Sequence, residues 1–146
     1  MSSGKTGRLS KFYSGTLVKP RFIVVHAWPV VPPKRSVHYL VGRDGKVNQL
    51  VPLNRCAWHS DGHNRDSIAV ALISFGPLVL REGKFYSALY GDEVTEVHDG
   101  LSHGYRYWHK FTSQQLDQLD EIKEQWPDLE LVTVGRGAWP LDLKTV

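Results

Sequence analysis

Histidine is the residue type that offers the most chemistry in this sequence. Four of the seven histidines fall within residues 21–74: His26, His38, His59 and His63. His26 ends the apolar run Phe22-Ile-Val-Val25, which predicts a buried strand that delivers an imidazole to its end. Imidazoles act as proton donors and acceptors near neutral pH, so His26 is the first candidate functional residue.

A hairpin and a second apolar strand must position these imidazoles. Alternating residues flank Gly42-Arg-Asp-Gly45, which predicts a hairpin over residues 36–52 because glycine supplies the positive φ that a tight reversal needs. The polar loop 57–64 carries His59 and His63 and opens into another apolar strand. We predict the sheet strands at residues 22–26, 37–41, 46–51, 67–74 and 129–134.

Near the C-terminus the pattern changes to that of a helix. Thr112-Ser-Gln-Gln115 is typical of a capping box and predicts a helix over residues 113–125, which Pro127 stops. The order of elements predicts an α/β fold: a mixed sheet of about five strands with this main C-terminal helix packed on one face. Residues 76–104, with glycines and scattered aromatics, predict a long irregular excursion.

Length and composition favour a single globular domain. The 146 residues predict one domain over 1–146, with residues 1–8 as a loose tail. The net charge of +3 and the pI near 9.0 make the chain mildly basic, but no block of Lys and Arg predicts a dedicated nucleic-acid surface. We expect a monomer.

The cysteine content and the length of the apolar runs give expectations for the cellular location of the chain. One cysteine, Cys56, excludes an intramolecular disulfide and favours a buried, inert thiol. The apolar runs are too short to span a membrane, and residues 1–8 lack the apolar region of a signal peptide. We therefore expect cytoplasmic synthesis without export, with access to a cell wall only after release.

Four motifs in this order resemble the zinc-dependent N-acetylmuramoyl-L-alanine amidases and the related peptidoglycan recognition proteins. The motifs are the strand-end His26, S-x-H-Y-L-V-x-x-D-G-x-V-x-Q-L-V-P over residues 36–52, Ala57-Trp-His59, and N-x-x-S-I-A-V-x-L from Asn64. The resemblance covers roughly residues 22–134 and is closest to phage and prophage lytic amidases. It implies hydrolysis of the amide between N-acetylmuramic acid and L-alanine, zinc as cofactor, and peptidoglycan or muramyl-peptide fragments as partners.

The resemblance also implies roles for particular residues. It makes His26 a metal ligand and places Trp58, His59 and Asn64 in the substrate groove, with Asn64 capping the loop before the central strand. Tyr39 is interpreted as a core residue. Three prolines in residues 27–35 predict a short loop where such amidases carry a helix.

The chain departs from the family pattern at its C-terminal end. The family places a second His after the last strand, followed by a Lys and an Asp or Cys, whereas residues 134–143 read VGRGAWPLDL and no His follows His109. The positions of the general base hold Val37 and Ala71. Two hypotheses follow: an amidase whose site is completed by His59, His98 or His103, or a catalytically silent relative that binds peptidoglycan fragments.

Overall fold

The computed structural model of the chain describes residues 13–16, 19–60, 62–102, 104–134, 141 and 143–146. The predicted tail 1–8, His103 and most of the ending 134–143 therefore lie outside the described residues.

One helix and thirteen strands make up the regular structure of the described residues. The helix α1 spans Ser113–Gln125. In chain order the strands are β1 (Tyr13–Thr16), β2 (Phe22–Trp28), β3 (Tyr39–Val41), β4 (Val47–Gln49), β5 (Arg55–Ala57), β6 (Ser67–Ile73), β7 (Pro77–Arg81), β8 (Lys84–Ser87), β9 (Glu93–Val94), β10 (Val97–Ser102), β11 (Tyr105–His109), β12 (Glu130–Thr133) and β13 (Lys144–Thr145).

The main sheet has six strands in the order β13-β12-β2-β6-β3-β4. β2 and β6 lie at its centre and run parallel, paired from Phe22 with Ser67 to Trp28 with Ile73. Both are nearly continuous apolar runs, as expected for parallel strands that are buried on both faces. The β3–β4 pair is antiparallel, so the sheet is mixed. The predicted fold class and all five predicted strands are confirmed, with β13 as an additional edge strand.

The helix α1 packs on one face of the main sheet and begins where predicted. The Thr112 side chain accepts a hydrogen bond from the Gln115 N–H, and the Gln115 side chain accepts one from the Thr112 N–H, which completes the capping box. Leu119 and Ile122 pack into a core cluster with Ile23 and other apolar side chains of the sheet. Leu119 and Ile122 are three residues apart, so they lie on one face of the helix.

The turn between β3 and β4 brings the chain against the start of α1. Gly45 has a φ of +86°, and a Cβ added there would lie 2.9 Å from the Cβ of Gln114. Gly45 therefore meets two requirements, the left-handed backbone and the close approach of the helix.

The prediction of an irregular excursion over residues 76–104 was wrong. Strands β7–β11 form an antiparallel five-stranded sheet in the order β10-β11-β7-β8-β9. Glu82 and Gly83 join β7 to β8 with φ values of 52° and 78°, which is typical of a tight type I′ hairpin turn. Glutamate is an unusual residue at such a position, and burial does not alternate from residue to residue along either strand, so the sequence carries neither the turn signal nor clear alternation.

The predictions for Cys56 and for the loop after β2 are also confirmed. Cys56 is a free, buried cysteine in β5, and the segment that follows β2 is a loop without helix in residues 29–38. Within the described residues, none of the helical structure has the length and apolar character that crossing a membrane would require.

Candidate functional site

The candidate site is built on the carboxyl end of β2. Because side chains alternate along a strand, His26 lies on the sheet face opposite α1, whereas Val25 belongs to the helix-facing cluster. His26 is 4% exposed and forms part of the wall of a cavity of about 180 Å³, called here the His26 cavity. The other walls come from the strand ends of the main sheet and from the second sheet, and include Trp28, Pro77, Leu89, Tyr90 and Val134.

The loop after β5 brings a second imidazole to His26. The His26 Nε2 and the His59 Nδ1 are 2.8 Å apart, and both side chains are buried. The side-chain oxygen of Asn64 accepts hydrogen bonds from the backbone N–H groups of His59 and Ser60, each at 2.9 Å. Asn64 therefore fixes the loop that presents His59.

A chain of hydrogen bonds defines which nitrogen of each ring carries its proton. The Ser67 hydroxyl donates to the His63 carbonyl and so acts as acceptor for the His59 Nε2–H at 2.8 Å. A neutral His59 then has a lone pair on Nδ1, which accepts the proton of His26 Nε2. We call His26, His59 and Ser67 the imidazole relay. It leaves the Nδ1 of His26 as the ring nitrogen with a free lone pair.

The burial of both rings keeps them neutral. Burial lowers the pKa of His26 to about 4, and the positive charge of Arg35 acts in the same direction. Burial, followed by the neighbouring histidines and Arg35, also lowers the pKa of His59 well below its usual value. Neutral rings near pH 7 agree with the proton positions assigned to the imidazole relay.

Apart from His59, apolar side chains of β2 and β6 flank His26. The Trp28 ring stacks on the His26 ring with centroids 4.3 Å apart, and Ala71 is the register partner of His26 in β6. Val37 and Ala71, which the resemblance predicts at the positions of the general base, are both fully buried in one apolar cluster. Tyr39 packs in the core cluster beneath α1, as interpreted from the sequence.

The remaining sequence candidates are spread over the structure. The Trp58 backbone pairs with Ser36 through two hydrogen bonds, which ties the loop of His59 to the segment before β3. His63 lies near Asp66 and packs edge-on against Phe22, at the opposite end of β2 from His26. His98 is in β10 of the second sheet, paired with Trp108. His59 is therefore the one of these imidazoles that contacts His26, and the groove roles of Trp58, His59 and Asn64 stay predictions.

The hydrogen bonds of His38 show that it has a structural role. Its Nδ1 accepts the Ala69 N–H at 2.9 Å, and its Nε2 donates to the Arg55 carbonyl at 2.7 Å. Burial lowers the pKa of this fully buried ring. Both nitrogens are thus used to join β6 to β5.

Comparison with known proteins decides the family. The family model described as N-acetylmuramoyl-L-alanine amidase matches residues 16–126, which is most of the chain. The chain belongs to this amidase family. The match spans His26, the hairpin and the His59 loop, and thus includes every element that builds the imidazole relay. The family is one of hydrolases, and no curated protein sequence matches the chain.

Three solved structures are similar to this chain. The Ph2119 endolysin from the Thermus scotoductus MAT2119 bacteriophage Ph2119 is 19% identical, with 84% of this chain and 75% of that chain covered and a TM-score of 0.50. An AmpD derivative is 18% identical, with 84% and 76% covered and a TM-score of 0.49. The amidase AmiD from E. coli, in complex with anhydro-N-acetylmuramic acid-L-Ala-D-γ-Glu-L-Lys, is 18% identical, with 81% and 51% covered and a TM-score of 0.45.

Zinc is the cofactor that the family implies, and a zinc centre needs at least three protein donors. Within the described part of the chain, no group of three or more His, Cys, Asp or Glu side chains is arranged to hold a metal ion. His26 and His59 supply two imidazoles, whose facing nitrogens share a proton. The described residues alone therefore do not fit a zinc centre. His103 and Asp142 lie outside them.

Two residues of the site were missed from the sequence. Trp28 could have been found, because the residue two positions after His26 on a strand shares its face. Ser67 carries no such signal, since its contact with His59 depends on how the loop 57–66 folds back on the start of β6.

Proposed function

We propose that the chain hydrolyses the amide between N-acetylmuramic acid and L-alanine in peptidoglycan fragments that bind in the His26 cavity. One observation carries the proposal: His26 stands at the carboxyl end of a central parallel strand, in a cavity wall, with its ring held by His59. In open α/β sheets, ligands bind at the carboxyl ends of the strands. The family match supplies the reaction.

The described residues are suited to bind and orient such a substrate. Trp28, Leu89 and Tyr90 give the cavity apolar and aromatic walls, which suit the faces of a sugar ring and an alanine methyl group. The imidazole relay fixes the ring of His26, and the Nδ1 lone pair can accept a hydrogen bond from a bound group. The muramyl-peptide bound by AmiD is the kind of partner we propose here.

Zinc belongs to the same proposal. Zinc, where bound, would supply a Lewis acid for the amide carbonyl and would lower the pKa of a bound water to ~7. Because the described residues supply only the two imidazoles of His26 and His59, zinc at this site stays an expectation from the family.

A second candidate function is binding of muramyl-peptides without cleavage. It is favoured by the buried methyl groups of Val37 and Ala71 at the positions of the general base, because a positioned base contributes ~10²–10⁴-fold to the rate. In this hypothesis the His26 cavity is retained as a binding site.

The deciding experiment measures release of the peptide from anhydro-N-acetylmuramic acid-L-Ala-D-γ-Glu-L-Lys by mass spectrometry, with and without added zinc. The proposal predicts cleavage at the amide before L-alanine, abolished by a chelator and by His26→Ala but kept in His63→Ala. His63 is the matched control, since it is a partly buried His at the other end of β2. Binding without any cleavage in the presence of zinc would support the second candidate and contradict the first.

A further inference from the structure

A second cavity lies beside the His26 cavity. It has a volume of about 300 Å³, and its walls include Arg43, Phe75, Glu96 and His109, so we call it the Arg43 cavity. The two cavities share the same strand ends, because Trp28 and Gly76 line the first whereas their chain neighbours Pro29 and Phe75 line the second. A ligand that extends beyond the first cavity therefore has the second within reach.

The Arg43 guanidinium is held at the inner wall of this cavity by uncharged groups. Its Nη1 donates to the Ile73 carbonyl and to the Gln115 side-chain oxygen, each at 3.2 Å, and its Nη2 donates to the Lys110 carbonyl at 2.7 Å. These acceptors fix the position of the guanidinium without neutralising its charge. The inner wall of the cavity is therefore positively charged.

His109 adds a neutral hydrogen-bond donor to the same wall. The His109 Nδ1 accepts the Phe75 N–H at 2.9 Å, so a neutral ring carries its proton on Nε2. Burial and the Arg43 charge lower the pKa of His109 to about 4, despite the opposing effect of Glu96. Metal ligation through Nε2 would require a proton on Nδ1, where it would face the Phe75 N–H. His109 is thus a donor and not a metal ligand.

The Glu96 carboxylate stands in front of both groups. Its Oε1 lies 3.3 Å from the Arg43 Nη2 and 3.8 Å from the His109 Nε2. The Glu96 side chain is 59% exposed, whereas that of His109 is 7% exposed, so Glu96 can swing into solvent at little cost while the inner wall stays in place. Glu93 and Thr95, which are also exposed, form the rim.

We propose that the Arg43 cavity is a carboxylate-binding subsite, in which Glu96 occupies the place that a free carboxylate of the substrate's peptide takes when it binds. This proposal rests on the proposed function, because it assigns the peptide part of a muramyl-peptide to this cavity. The carboxylate receives the Arg43 charge and the His109 Nε2–H, while the exposed Glu93 and a displaced Glu96 face any ammonium group of the peptide at the rim. Charge-assisted hydrogen bonds of this kind distinguish a carboxylate from an amide.

The test uses the full chain and two probes, L-Ala-D-γ-Glu-L-Lys with a free C-terminal carboxylate and the same peptide with every carboxylate converted to the amide. Isothermal titration calorimetry should give about 10-fold or more tighter binding of the acid. Glu96→Gln removes the internal competitor and should tighten binding of the acid about 2- to 5-fold, with little change for the amide. His109→Asn keeps an acceptor for the Phe75 N–H but removes the Nε2–H, and should reduce the preference for the acid.

Equal affinity for the two peptides, or weaker binding of the acid by Glu96→Gln, would overturn the proposal. A shift of the Phe75 amide resonance in an ¹H–¹⁵N spectrum on addition of the acid peptide shows that the peptide binds in the Arg43 cavity, since this N–H contacts His109 directly. The preference for the acid should persist in His26→Ala, which alters the neighbouring cavity. Preference for the acid without cleavage of a muramyl-peptide would contradict the hydrolysis proposal alone. Cleavage at equal rates of acid and amide substrates, without preference in binding, would contradict the subsite alone.

Discussion

At the scale of single residues, the site is defined by where protons sit. In the imidazole relay, the serine hydroxyl of Ser67 sets the tautomer of His59, which in turn sets that of His26. The three side chains are all buried, so each donor needs its acceptor inside the protein. The order of the relay therefore makes Ser67, which is remote from the cavity, a positioning residue for His26.

Replacing Ser67 by Ala should destabilise the fold and disturb His26. The change leaves the buried His59 Nε2–H without its acceptor, at an expected cost of about 1–3 kcal/mol in the free energy of unfolding. Urea unfolding followed by tryptophan fluorescence gives this value. Ser60→Ala is the matched control, because Ser60 is a buried serine of the same loop outside the relay. Equal stability of the two variants would show that the relay is not formed.

The low pKa of His109 makes a second residue-scale prediction. Because its pKa is lowered from 6.5 to about 4 in the folded chain, its contribution to stability is complete above pH 6.5 and is lost as the pH falls to 4. Since each pKa unit corresponds to ~1.4 kcal/mol, lowering the pKa of His109 from 6.5 to about 4 gives an expected loss on the order of 3 kcal/mol by pH 4. Comparing the urea midpoints of the wild type and His109→Asn from pH 7 to pH 4 isolates the contribution of His109 to the pH dependence of stability. Parallel pH profiles of the two proteins would contradict it.

At the scale of elements, the site depends on strand ends that are joined by long-range hydrogen bonds. The buried Gln115 side chain donates to the carbonyls of Val41 and Ile73, which ties the start of α1 to the ends of β3 and β6. Arg43, in the turn after β3, bonds to the same Gln115 side chain. The helix start, the hairpin turn and the Arg43 cavity are therefore one connected unit.

Gly45→Ala tests this connection. The variant has to place a Cβ 2.9 Å from the Gln114 Cβ as well as keep a positive φ, so we expect a loss of about 2–4 kcal/mol. Gly83→Ala is the matched control, because Gly83 has a φ of +78° but no atom within 4 Å of an added Cβ. Thermal unfolding should show the larger loss for Gly45→Ala. A loss no larger than that of the control would mean that the close approach of Gly45 to Gln114 does not contribute to stability.

Elements with a strong local pattern were predictable, and those without one were not. Short segments of sequence were enough to predict β2 and β6, which are apolar runs, and the start of α1, which has the capping box at Thr112. The β7–β8 hairpin does not, because its turn is Glu82-Gly83. His26 was found as a strand-end residue, whereas its contact with His59 spans 33 positions and depends on the folded loop. The same holds for Arg43 and His109, which meet only through tertiary packing.

At the scale of the whole molecule, the main sheet and the second sheet together form the cavities. Leu89 and Tyr90 come from the second sheet's connections and face His26 across the first cavity, while Glu96 faces Arg43 across the other. The family match ends at residue 126, so it covers this junction. The ending 134–143, where the resemblance predicts the remaining ligands, lies beyond that match and mostly outside the described residues.

The single-domain organisation of residues 1–146 remains a prediction. If it holds, unfolding in urea should be one cooperative transition, with coincident curves for far-UV circular dichroism and tryptophan fluorescence. Two separated transitions would contradict it and would indicate that the two sheets unfold independently.

Both candidate functions require that the His26 cavity is the muramyl-peptide site. The most direct measurement is the affinity of the full chain for anhydro-N-acetylmuramic acid-L-Ala-D-γ-Glu-L-Lys by calorimetry, under conditions that prevent cleavage by chelating zinc. We predict saturable one-to-one binding that Trp28→Ala and His26→Ala each weaken at least about 10-fold, as expected for loss of an aromatic wall or a hydrogen-bonding ring, and that His63→Ala leaves unchanged. Binding of the wild type that is unaffected by either cavity variant would contradict the account.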